Sequence, residues 1–122
     1  MSAELRHEHG NIFRIEIQGT LRKDDLKRCE EQLLREVVRS GPVRLLFILD
    51  GFAGWNAKDN WGDLSFFVKH GDLIERIAIV GEERWRDDAL VFAAADLRKA
   101  PVRYFRGDSA PEARRWLKSA DA

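Results

Sequence analysis

Two stretches of this chain are apolar with almost no interruption. Residues 43–49 read Val-Arg-Leu-Leu-Phe-Ile-Leu and residues 77–80 read Ile-Ala-Ile-Val. A strand with one wet face alternates apolar and polar positions, so runs like these suit central strands covered on both faces, as in a parallel sheet. Parallel neighbours require crossovers, and helical patterns lie between the runs. Leu26, Cys29, Leu33 and Val37 recur at helical spacing through residues 23–39. Asp24 and Asp25 favour the N-terminal end of that helix, and Ser40-Gly41-Pro42 ends it. Residues 57–69 predict a second helix, with Trp61, Leu64 and Val68 inward and Phe66 off that face. Residues 83–95 predict a third, with Trp85, Ala89, Phe92 and Ala93 inward. Ser109 and Glu112 read as the capping box of a fourth, burying Ala113, Trp116 and Leu117. Strands are expected over residues 11–18, 43–49, 73–80 and 102–105, with residues 5–8 as a leading hairpin arm across His9-Gly10-Asn11. The order β-α-β-α-β-α-β-α predicts one α/β domain over residues 1–122, with a mostly parallel sheet joined by right-handed crossovers.

Charge and composition narrow the function. The 122 residues hold 21 Lys+Arg and 21 Asp+Glu, so the net charge is zero, which argues against a nucleic-acid binder. The single cysteine excludes an internal disulfide and any multi-cysteine metal site. It falls on the inward stripe of the first helix and is expected to be a buried thiol. His7 and His9 are expected near a frayed terminus, His70 at a helix end, and no metal or cofactor site is expected. No run approaches the ~18 apolar residues of a membrane span, and the polar start is unlike a signal peptide, so a cytoplasmic protein is expected. Nucleophile elbow, Walker loop and HExxH are all missing from the sequence. Asp50, at a strand end, is the one carboxylate placed to serve as a base, and a non-enzymatic role is the expectation.

A scattered set of residues carries a family likeness. It comprises Gly19-x-Leu21, Val43-Arg44-Leu45-Leu46, Phe52-x-Gly54-Trp55, Trp61-x-Asp63 and Phe67-x-x-x-Gly71. Ile74-Glu75-Arg76-Ile77-Ala78-x-Val80-Gly81, Trp85, Val102-Arg103-x-Phe105 and Glu112-Ala113-x-x-Trp116-Leu117 complete it. In order and rough spacing the chain resembles the SpoIIAA-like proteins, small bacterial domains grouped with the STAS and SEC14 (CRAL-TRIO) fold. The resemblance implies a βα superhelix with a four- to five-stranded sheet and about four helices. It also implies ligand or lipid binding with membrane association, or partner regulation by analogy with anti-sigma-factor antagonists. Those antagonists carry a phosphorylatable Ser at the start of the helix after the central strand. Here residues 54–59 contain neither Ser nor Thr, so a phosphoswitch of that kind is not expected.

The candidate site follows from strand polarity. Ligands of open α/β sheets bind outside the carboxyl ends of the strands. Residues 50–56 are expected there as a glycine-bearing loop, with Asp50, Phe52, Gly54 and Trp55 in it and Trp61 beyond. The functional reading is an aromatic lid over a pocket, or a wedge entering a membrane interface. The plainer one is that the rings fold back onto the core. From Arg98 to Lys118 seven basic residues stand against Asp108 and Glu112, and Arg103 and Arg106 lie closest to the strand end. The first expectation is a small-molecule or lipid-binding domain in contact with a membrane. The alternative is a regulatory protein-interaction module presenting Arg114 and Arg115. Oligomeric state is left open, a homodimer being among the options.

Overall fold

The computed structural model describes residues 2–56, 58–59, 73–93 and 101–119. Five strands, β1 (Ala3–His9), β2 (Ile12–Leu21), β3 (Val43–Trp55), β4 (Ile74–Gly81) and β5 (Val102–Arg106), make one sheet in sequence order. β1 runs antiparallel to β2, and the other three pairings are parallel. Three helices lie among the described residues: α1 (Lys23–Ser40), α2 (Arg86–Phe92) after a 3-10 turn at Glu83–Trp85, and α3 (Ala110–Lys118). The helix expected over residues 57–69 falls almost wholly outside them.

The two faces of the sheet bury separate cores. Phe13, Ile15 and Ile17 of β2 join Leu45 and Phe47 of β3 and Ile77 and Ile79 of β4 beneath α1 and α2. From α1, Leu26, Cys29, Leu33 and Val37 enter this core, as their spacing predicts. The thiol of Cys29 is pushed up to about 11 by burial. At the start of α1, Asp25 accepts hydrogen bonds from the Ser2 backbone N–H (2.9 Å) and hydroxyl (2.7 Å), which hold its carboxyl below the usual range and tie β1 to the helix. The opposite face is covered by α3, whose Ala113 and Leu117 meet Ile12, Leu46, Ala78, Val80 and Phe105.

Three local expectations are corrected. Residues 50–55 are not a loop: β3 continues to Trp55 and stays paired with β2 out to Leu21. Gly51 (φ 62°) and Gly54 (φ 105°) adopt left-handed backbone that side chains disfavour, so the strand bulges and twists without losing its partner. His7 and His9 lie on β1 rather than at a frayed end, and His7 Nε2 is 2.7 Å from the Gly10 carbonyl. Ser109 occupies the N-cap position of α3 without a side-chain cap; its hydroxyl turns to Asp108, and its carbonyl accepts from Ala113.

The C-terminal end of α3 is held by two strand arginines. Arg44 and Arg76 sit side by side on β3 and β4. Arg44 donates to the carbonyls of Leu117 (2.5 Å) and Ser119 (2.9 Å). Arg76, only 4% exposed, donates to Trp116 (2.6 Å) and Ser119 (2.9 Å) and to the Ser119 hydroxyl (2.8 Å). The last carbonyls of a helix lack internal partners and carry the negative end of its dipole, so two guanidinium groups there satisfy both needs.

Candidate functional site

At the carboxyl ends of β2, β3 and β4 the extended half of β3 builds an aromatic cluster. The bulge breaks the alternation that turns Leu45, Phe47 and Leu49 inward and so brings Phe52 to the same core, 3% exposed, between the exposed residues Gly51 and Ala53. Its ring meets Trp55 edge-on (centroids 4.9 Å, 89°) and Trp85 (4.9 Å, 69°). Trp55 continues to Phe92 of α2 (5.6 Å), and Phe92 to Phe47 (5.9 Å). Tilted and edge-to-face contacts of this kind add to the area the rings bury. Gly54 is required by its neighbour as well as its backbone: a Cβ there would lie 3.3 Å from Trp85 Cη2.

Beneath these rings lies an enclosed chamber walled by Ile17, Leu21, Leu49, Ile79 and Ala89 with the aromatic residues. Its free volume is about 10 Å³, no more than one water molecule needs. The walls are entirely apolar side chains. Among the described residues, the buried indole nitrogens of Trp55, which lines the chamber, and of Trp85, which packs on Phe52 and Trp55, have no hydrogen-bond acceptor. A buried donor without a partner costs on the order of 1–3 kcal/mol, so two together in one cluster call for an explanation.

The remaining expected site residues are placed elsewhere. Asp50 points to the opposite side of β3 from Leu49 and is exposed, within 3.5 Å of Gln18 Nε2. Arg103 also lies on the α3 side, its guanidinium stacked over Phe105 (4.9 Å) and Trp116 (5.3 Å). Arg106 is exposed at the end of β5. The structure therefore unites Phe52, Gly54 and Trp55, and separates them from Asp50, Arg103 and Arg106. Trp61 lies outside the described residues. Phe52 is too deeply buried to act as a lid or a membrane wedge, because the bulged strand turns its ring inward.

Tyr104 of β5 was not among the expected site residues. It packs on the same core, and its hydroxyl donates to the Glu82 carbonyl (2.5 Å), fixing the segment that carries Trp85. Burial, with Glu83 and Glu82 nearby, pushes the phenol up to about 12. Because the fold favours the neutral phenol, this group contributes stability below pH ~10 that is lost as pH rises through 12. It is the chain's single tyrosine, so alkaline difference absorbance reads it directly. The expected native half-titration is about 12, returning toward 10 in denaturant.

A larger recess lies at the other end of the strands. It is open, about 370 Å³, and lined by His7, Asn11, Phe13, Glu36, Arg39 and Pro42 among others. Its polar groups already have partners: Arg39 pairs with Glu36 at 2.7 Å, and His7 with the Gly10 carbonyl. Among the described residues no group of three His, Cys, Asp or Glu is placed to hold a metal. No described helix is long and apolar enough to cross a membrane.

A family model described as SpoIIAA-like matches residues 12–118, from the first residue of β2 to the last of α3. The chain belongs to the SpoIIAA-like family. This SpoIIAA-like domain is also similar to the crystal structure of an uncharacterized DUF3478-family protein with a SpoIIAA-like fold from Shewanella loihica PV-4. The TM-score is 0.70 at 19% identity, covering 94% of this chain and 91% of that one, a likeness of fold. No curated protein matches the domain.

Proposed function

We propose that this SpoIIAA-like domain is a non-enzymatic binding module for a small apolar or lipid-like molecule, taken into the chamber behind Phe52, Trp55 and Trp85. The observation that supports it is the pair of indole N–H groups, unpartnered among the described residues, on and beside a wholly apolar chamber. An apolar ligand body replaces the collapsed aromatic contacts, and an acceptor at one end, such as a carboxylate or carbonyl, takes the free donors. The chamber is closed as it stands, so entry requires Trp55 and Trp85 to swing outward. Both are only partly buried and sit at the end of β3 and in a short 3-10 turn. The mixture of hydrophobic walls and a few convergent donors is what small-molecule sites commonly offer.

The regulatory-module reading rests on a basic face of α3. Arg114, which that reading needs, already bonds Glu8 of β1 through Nε (3.0 Å) and Nη2 (2.9 Å), leaving Arg115 as the exposed one of the pair.

Titration with a long-chain fatty acid, followed by tryptophan emission, tests the binding reading. Saturable quenching or a blue shift is expected for the native protein. Trp85→Phe, which keeps a ring but removes one donor, is expected to weaken binding of the acid about ten-fold and of the matching alkane little. Absence of saturable change for either ligand would count against the chamber as a site.

A further inference from the structure

β1 is an edge strand seven residues long, and nothing among the described residues pairs with its outer side. The bond from the Gln18 N–H to the Ser2 carbonyl sets Ser2 and Gln18 as a hydrogen-bonded pair, so even-numbered residues of β1 exchange bonds with β2. The main-chain N–H and C=O groups of Ala3, Leu5 and His7 therefore point outward, a ready template for another strand.

The side chains on the wet face of this edge are oddly matched to β2. Glu4 stands directly opposite Glu16, and Arg6 directly opposite Arg14. Like charges opposed across a ladder are unfavourable; Arg6 is relieved along its own strand by Glu4 at 2.6 Å, and Arg14 by Glu16 at 2.9 Å and across the ladder by Glu8 at 3.3 Å.

We propose that β1 pairs with β1 of a second copy of this chain, antiparallel about a two-fold axis at Leu5, making one ten-stranded sheet. In that register Leu5 faces the partner's Leu5 and Ala3 faces the partner's His7, and both are hydrogen-bonded pairs, as the outward groups require. Glu4 then stands opposite the partner's Arg6, and Arg6 opposite the partner's Glu4, in the closely spaced non-hydrogen-bonded positions. Shifting the register by two residues either way sets Glu4 against Glu4 or Arg6 against Arg6. Of these three registers only the one centred on Leu5 satisfies both the main-chain pattern and the charges, and it is isologous, as a closed dimer demands. On the other face a recess of about 310 Å³ beside Leu5, His7 and Phe13, under Gln32, Arg35 and Glu36, gives the partner's side chains room.

Light scattering and sedimentation equilibrium on the purified full chain test this. A particle of twice 14.1 kDa is expected. Glu4→Arg and Arg6→Glu should each weaken it ten-fold or more with helical circular dichroism unchanged, and the double exchange should restore it. Register is read by cross-linking: Glu4→Cys chains mixed with Arg6→Cys chains should form disulfides faster than either variant alone. A native protein that stays monomeric at millimolar concentration overturns the proposal. So does a dimer indifferent to the single reversals, or cross-linking without preference for the mixed pair.

Discussion

Phe52→Ala is expected to lower the unfolding free energy by about 3–5 kcal/mol, the usual cost of emptying a fully buried phenylalanine site. Phe52 is 3% exposed and touches both Trp55 and Trp85, so its removal merges its own volume with the chamber and deprives two indoles of their edge contacts. Urea unfolding followed by far-ultraviolet circular dichroism measures the change. Ala53→Ser, one residue on and facing solvent, serves as the control, with an expected effect within about 0.5 kcal/mol. A lid residue lying over the surface would behave like the control. A small Phe52→Ala effect would therefore return residues 50–55 to the role their glycines first suggest.

Arg76→Met should be comparably severe, about 3 kcal/mol, for an electrostatic reason. Methionine approximates the buried stem but leaves the Trp116 and Ser119 carbonyls and the Ser119 hydroxyl without the donor they share. Bonds from a charged donor contribute roughly 1.5–3 kcal/mol, and Arg76 makes several, although Arg44 still reaches the Ser119 carbonyl and the Ser119 hydroxyl the Trp116 carbonyl. Arg76→Lys keeps the charge but not the planar fork, so an intermediate loss is expected. Hydrogen exchange should show the damage first in residues 110–118, because α3 is docked through this end. A methionine variant as stable as the native protein, with α3 equally protected, would remove Arg76 from its role as helix anchor.

Much of the fold was legible because burial leaves a period in the sequence. The unbroken run through Leu45, Leu46 and Phe47 marks a strand covered on both faces, and Leu26, Cys29, Leu33 and Val37 mark the inward side of α1. The end of β3 was not legible, because Asp50, Gly51 and Gly54 are turn residues by type, and only pairing with Gly19, Thr20 and Leu21 makes them a bulged strand. Phe52, Gly54 and Trp55 are legible as a group, but the choice between a lid and rings folded back onto the core is made by the bulge, which the sequence does not show. The helical spacing turns Trp85 inward, yet its meeting with Trp55 depends on a crossover that local spacing does not encode. Arg44 and Arg76 do leave a signal in the sequence. Each is a charge set into the start of a central apolar strand, which is tolerable only where something polar covers it. The opposition of Glu4 to Glu16 and Arg6 to Arg14 likewise needs the hairpin register before it can be seen.

The chamber is tested most directly by filling it. Ala89 lines its wall, and the added methyl groups of Ala89→Val overfill the free space of about 10 Å³ and compete with a ligand for whatever room the outward swing of Trp55 and Trp85 opens. Native mass spectrometry of both proteins, purified from cells and then offered a long-chain fatty acid, compares their bound fractions at equal stability. The account predicts a ligand-bound mass for the native protein and a loss of at least ten-fold for Ala89→Val. Equal occupancy in the two proteins, or none in the native one, would contradict it.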